Sequence, residues 1–203
     1  MLHLDHILYA VPNLQKGIAD FEKLTGVRPA YGGKHPKLGT HNALVSLGEE
    51  IYLELIAPDP DRGIPFENMI FDIGKINAPK IITWAARSTD INELGAKIQI
   101  LGIEDGKRIT EDGAVLKWKT ARMTEFTDHS GIVPFVIQWV SAPHPASTAP
   151  RGCELLQFSA EHPSPDKFSK LSSELSFSFK IAESQSVRLK VKINSPKGVI
   201  EIG

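Results

Sequence analysis

His6 and Glu54 are the two residues whose types and settings most directly suggest chemistry. His6 lies within LDHILYAV (4–11), which reads as a strand. Alternation puts it on one face with Leu4, Leu8 and Ala10, and puts Asp5, Ile7, Tyr9 and Val11 on the other. Glu54 lies in IYLEL (51–55) and shares a face with Tyr52 and Ile56. A carboxylate on a half-apolar face needs a partner, because burying it bare is very costly. The two strands are expected to be neighbours, so an imidazole and a carboxylate should meet. Two arrangements satisfy that chemistry. Either the pair holds a divalent metal, and imidazole plus carboxylate suits Zn, Mn, Fe or Ni, or it is a metal-free hydrogen-bonded pair lining a polar cavity.

A second constellation is GGKHPKLGTHN (32–42). Its glycines allow tight turns, and His35, Thr40 and Asn42 are candidates for gripping a polar group of a substrate. The alternative is a glycine-bent hairpin with polar turn residues. Both faces of the following strand remain open, since Leu44 and Ser46 follow Asn42 while Ala43, Val45 and Leu47 follow His41. Trp84 and Trp139 stand in matching strands; each is core, or one of them (Trp84 is the candidate) walls an apolar ligand. His144, in APHPA, is placed to cap a pocket mouth, whereas His129 and His162 read as exposed turn residues.

The elements that must carry these residues repeat. The strand 4–11 is followed by a helix with Asn13 as N-cap, an apolar stripe at Leu14, Ile18, Phe21 and Leu24, and Gly26 as left-handed C-cap. Three strand-like runs follow, giving β-α-β-β-β. The pattern returns with IITWAARS (81–88), a helix over TDINELGAKIQILG, a hairpin with Asp112-Gly113 at its turn, and GIVPFVIQWVS. Aligned on their helices, the two units put Thr83 where the first has His6. A fainter third copy begins at CELLQFSAEH, with Pro165 at a short helix start. The expected organisation is a first βαβββ module (1–58), a connecting segment or lid (59–80), a second module (81–150) and a βαβββ-like C-terminal extension (151–203). The fold class is α+β, with mixed, largely antiparallel sheets.

Composition limits the function. The formal net charge of −1 over 203 residues gives no general attraction to nucleic acid or an anionic membrane. Arg188, Lys190 and Lys192 alternate as the wet face of an outer strand, without interleaved aromatics for base stacking. Cys153 is the only cysteine, so neither an internal disulfide nor a thiolate cluster can form. No signal-peptide pattern and no bilayer-length apolar run are present, so a cytoplasmic location is expected. Phosphate-loop, dinucleotide and nucleophile-elbow motifs are absent.

Taken together, LDHILYAV, GGKHPKLGTHNALVSLG, YLELIAP, WAARSTDI, PFVIQW and PHP resemble the glyoxalase-like domain group of bacterial proteins, within the vicinal oxygen chelate superfamily. The resemblance covers about 1–175. It implies sheets curling around a pocket and, in many members, a divalent metal held from the first and fourth strands of both modules. Carried over, those positions are His6, Glu54, Thr83 and Gln138. Threonine is a poor ligand and glutamine a weak one. Since alternation opposes Gln138 to Trp139, only one of them can face the pocket. Two functions follow. One is a metal-dependent lyase or isomerase acting on a substrate with adjacent oxygens, with Glu54 assisting proton transfer. The other is a metal-free binding or sequestering protein of the same fold. Either takes a small-molecule partner, and the modules pair within one chain or across a homodimer.

Overall fold

The protein is described by a computed structural model. It covers residues 2–96, 98–109, 113, 115–124, 130–141 and 143–203. The expected Asp112-Gly113 turn and His129 lie outside the described residues, apart from Gly113 itself. Strands β1 (His3–Ala10), β2 (Ala30–His35), β3 (Thr40–Gly48) and β4 (Ile51–Pro58) surround helix α1 (Leu14–Thr25) in sequence. Strands β5 (Lys80–Arg87), β6 (Ile100–Ile109), β7 (Val115–Met123) and β8 (Phe135–Trp139) follow, with α2 (Ile91–Gly95) after β5. These eight strands form one sheet in the order β2-β3-β4-β1-β5-β8-β7-β6. In each module the first strand runs parallel to the fourth, and the two modules join where β1 pairs antiparallel with β5. The sheet curls far enough that its edge strands β2 and β6 approach within 8 Å between Cα atoms. The result is a half-barrel with a concave and a convex face.

Helix α1 forms where the sequence marks it. The Asn13 side chain accepts from the Lys16 amide, and Gly26 closes the helix at φ 83°. The helix buries Leu14, Ile18 and Phe21 against the convex face. Leu24, expected in that stripe, is exposed. The second helix is shorter than its 3.6-residue pattern suggested. It ends at Gly95, and the β-branched Ile98 and Ile100 lead the chain into β6. Leu101, expected in the helical stripe, is therefore exposed on a strand.

The C-terminal unit keeps the element order but not the pairing. Strands β9 (Glu154–His162), β10 (Lys180–Glu183), β11 (Arg188–Ser195) and β12 (Gly198–Ile202) form a sheet ordered β10-β9-β11-β12. Its first strand is central, not paired to its fourth. This sheet packs on the convex face of the larger one. Phe158, Leu189, Val191 and Ile193 join the α1 core there, and Trp84 stands fully buried among Phe158, Phe177 and Phe179. His162 is buried at the end of β9, edge-on to Phe168, rather than exposed. Two backbone hydrogen bonds, from Leu2 N–H to Glu174 C=O and from Ser176 N–H to Leu2 C=O, tie the start of β1 to the far part of the chain.

Two short covers close the concave face. The connecting segment folds into 3-10 turns at Phe66–Asn68 and Ile70–Lys75. Met69 and Ile73 pack there on Leu8, Ala10 and Ile56. Phe71 and Asp72 both hold left-handed backbone at φ 53°, a conformation costing non-glycine residues roughly 1–2 kcal/mol each. The 143–151 loop carries the short helix α3 (Pro145–Thr148), which seats Ala146 and Ala149 against Leu44 and Tyr52. No helix among the described residues is long and apolar enough to cross a membrane.

The Trp84 indole N–H donates to the Ile132 carbonyl at 2.8 Å. Trp84→Phe leaves that buried carbonyl unpaired and a gap beside three phenylalanines. The expected loss is about 2 kcal/mol, seen in calorimetry as a Tm roughly 4–8 °C lower.

Candidate active site

His6 and Glu54 do meet. Strand β1 lies beside β4 in register His6↔Tyr52 and Leu8↔Glu54, which brings both side chains to the concave face. His6 Nε2 stands 3.4 Å from Glu54 Oε2. The other carboxylate oxygen of Glu54 accepts from the Asn42 side-chain N–H at 2.7 Å. All three residues are buried.

The imidazole is fixed on its remaining sides. Tyr52 stacks on it, with ring centroids 4.6 Å apart and planes 14° from parallel, and Phe135 meets it edge-on at 5.6 Å. Phe135 comes so near because the residue between them in the sheet row is Ala85. Its Nδ1 lies 2.6 Å from Asp5 Oδ1.

Asp5 is the residue that alternation misplaces. The β1–β5 register slips between Leu4 and His6, so Asp5 is the extra residue of a β-bulge. The slip turns Leu4 into the convex core and brings Asp5 to the same cluster as His6. The carboxylate is fully buried. Its Oδ2 accepts from the Trp139 indole N–H at 3.0 Å and faces His144 Nε2 at 3.1 Å, with the Arg87 guanidinium 3.9 Å away. Burial by itself would raise the Asp5 pKa. The hydrogen bonds from His144 and His6, with the coulombic pull of those two rings, outweigh it and hold the carboxyl well below the ordinary range. Because Asp5 is ionised it can only accept, so His6 Nδ1 and His144 Nε2 each carry a hydrogen. His144 Nδ1 accepts from the Ala146 amide, capping α3.

The remaining candidates separate cleanly. Gln138 shares its face with Val136 of the convex core, and its side-chain oxygen accepts from the Ile91 amide at the start of α2. Trp139, one residue on, takes the concave face. The choice between them therefore goes against Gln138 as a metal ligand. Trp84 is core, fully buried on the convex side. Thr83 is buried and pairs with Leu8, so it does stand on the concave face. His35 and Thr40 bond each other at 3.1 Å. They sit at the end of the β2–β3 hairpin, four residues along from the Glu54 row, or about 13 Å. His144 supports Asp5 and stands edge-on to Tyr52 rather than capping a mouth.

For a divalent metal the available donors are His6 Nε2 and Glu54 Oε2. Thr83 offers a weak hydroxyl and Gln138 faces away. No three His, Cys, Asp or Glu side chains converge on a metal position among the described residues. The described residues thus do not fit a resident Zn, Mn, Fe or Ni ion held by three or more side chains, the minimum usual for a catalytic zinc.

The model of the glyoxalase-like domain family matches residues 4–176 of this chain. The chain belongs to the glyoxalase-like domain family. Among solved structures it is similar to a hypothetical protein from Staphylococcus aureus, at 16% identity and TM-score 0.72 over 93% of this chain and 88% of that one. It is less similar to methylmalonyl-CoA epimerase from Mycobacterium tuberculosis, at 19% identity and TM-score 0.47, covering 69% of this chain and 88% of that one. A Streptomyces coelicolor methylmalonyl-CoA epimerase bound to 2-nitronate-propionyl-CoA stands at 17% and 0.48, covering 70% and 100%. The first likeness concerns the fold alone, and the epimerases are too distant to bear on this glyoxalase-like domain's chemistry. No curated protein sequence matches it.

Asp5→Asn in this glyoxalase-like domain puts an amide where three donors converge. It should lose about 3–5 kcal/mol in urea unfolding. The pKa of Asp5 is depressed on folding, so its contribution is present above the ordinary carboxylate value of 3.8 and is lost as pH falls below it. Wild-type stability should decline with acid through that range, and the variant should lack this part of the slope.

Proposed function

We propose that this glyoxalase-like protein is a small-molecule enzyme that moves a proton at an acidic C–H beside a carbonyl, without a resident metal. The observation that carries this reading is the His6 ring, clamped at Nδ1 by ionised Asp5 and aimed at Glu54 through Nε2. With Nδ1–H committed to Asp5, a neutral His6 presents a bare nitrogen to Glu54. A proton placed between Nε2 and Oε2 is shared by the two groups. While His6 holds it, Glu54 is a base within a closed, water-poor site. Glu54 takes the substrate proton, and the C–H electron pair moves onto the carbonyl oxygen as an enolate. Returning a proton to the same or the neighbouring carbon yields an epimer or an isomer. Asn42 orients Glu54, and Tyr52 and Phe135 hold the imidazole plane. A substrate with adjacent oxygens suits this arrangement, because the second oxygen acidifies the C–H between them.

One observation favours a second reading. A metal-ligating imidazole also hands its other N–H to a carboxylate, as His6 does to Asp5. Metal analysis of purified protein over Zn, Mn, Fe, Co and Ni separates the two. Less than stoichiometric metal, with activity indifferent to chelator, is expected. Stoichiometric metal that disappears in His6→Ala would replace the metal-free reading.

Proton abstraction is read directly as hydrogen–deuterium exchange at the hydroxymethyl carbon of 1-hydroxy-2-alkanones in D2O, followed by NMR. Glu54→Gln is expected to slow that exchange by about 10²–10⁴-fold, the usual worth of a general base. Binding without exchange would point instead to a sequestering protein of the same fold.

A further inference from the structure

We infer that the connecting segment 64–76 is a plug seated where the apolar body of the ligand belongs, so the ligand is an elongated apolar molecule with one oxygen-bearing end. This rests on the reading of the concave face given above. Ile64, Met69, Ile70, Ile73 and Ile76 form with Leu8, Ala10 and Ile56 an apolar cluster separate from the main core. That cluster begins next to the polar group. Leu8 pairs with Glu54 in the β1–β4 register, and Ile56 lies one strand repeat beyond Glu54 on the same face. Phe135 joins the two regions, meeting His6 edge-on and lying 6.3 Å from Phe71 of the plug. A ligand whose oxygens reach Glu54 must therefore run its remaining length into the space held by Met69 and Ile73.

The plug is built to leave as a unit. Its two 3-10 turns are clasped at Gly74, where a Cβ would come within 2.4 Å of the Phe66 carbonyl oxygen. Phe71 and Asp72 are both held in left-handed backbone, so the seated conformation is one the segment adopts only against the sheet. Phe71 stays nearly half exposed while its neighbours Met69 and Ile73 are buried. The contact is thus made by a few apolar side chains that an apolar ligand can replace one for one.

The test is calorimetric titration with 1-hydroxy-2-alkanones of increasing length, from three carbons to ten. Affinity should rise about fourfold per methylene. Ile73→Ala should tighten the ten-carbon probe at least tenfold and leave the three-carbon probe unchanged. Asp72→Gly, which removes the left-handed cost and favours the seated plug, should weaken the ten-carbon probe. Trypsin should cut after Lys75 faster with the ten-carbon probe present than without it. If the three-carbon probe binds but length, Asp72→Gly and cleavage change nothing, the plug is overturned and the proton-transfer site stands. If no member binds, both readings fall.

Discussion

A single buried carboxylate organises the concave face of this protein. Asp5 accepts hydrogen bonds from the His6 imidazole beside it and, from far along the chain, the Trp139 indole and the His144 imidazole. Charge of that kind is tolerated out of water only when it is fully partnered. Satisfying it fixes the tautomer of His6, the rotamer of Trp139 and the seat of the helix that covers the site. The pairing of His6 with Glu54 is a consequence: an imidazole anchored at one nitrogen can aim the other in one direction only.

Much of this could be read from the sequence, and the failures have identifiable causes. The meeting of His6 with Glu54 followed from alternation within two strands and a repeat that makes them neighbours. Asp5 escaped because one inserted residue in β1 breaks the period of two, and a bulge is specified by the partner strand, which lies some 80 residues away. A clue was nonetheless present, since alternation placed a bare aspartate on a face with Ile7, Tyr9 and Val11. The choice between Gln138 and Trp139 also lay beyond local pattern. FVIQW is apolar on both faces, and what decides it is that the start of α2 takes the glutamine oxygen while Asp5 takes the indole. In the C-terminal unit, element order was legible and strand pairing was not, because order is local and pairing depends on how the small sheet packs on the convex face of the larger one.

The two modules divide their work unequally. The first supplies His6, Asn42, Glu54 and Asp5. The second supplies a small residue at Ala85 to make room, aromatic walls at Phe135 and Trp139, and a hydroxyl at Thr83 where the first has its histidine. The convex face, by contrast, is one continuous apolar core shared with α1 and the C-terminal sheet. A rigid, dry layer on one side holds the backbone against which the polar side chains of the other side are aimed.

The seams near the start of the chain have a consequence for how the protein is made. Leu2 is stitched by backbone hydrogen bonds to residues 174 and 176, and two of the donors to Asp5 lie 134 and 139 positions downstream. A nascent chain emerging from the ribosome would thus carry its aspartate into a half-formed strand long before those donors have been synthesised. Strand β1 must wait, hydrated and unlatched, until residue 176 has been translated. Latching of β1 consequently comes late, after both modules have been made.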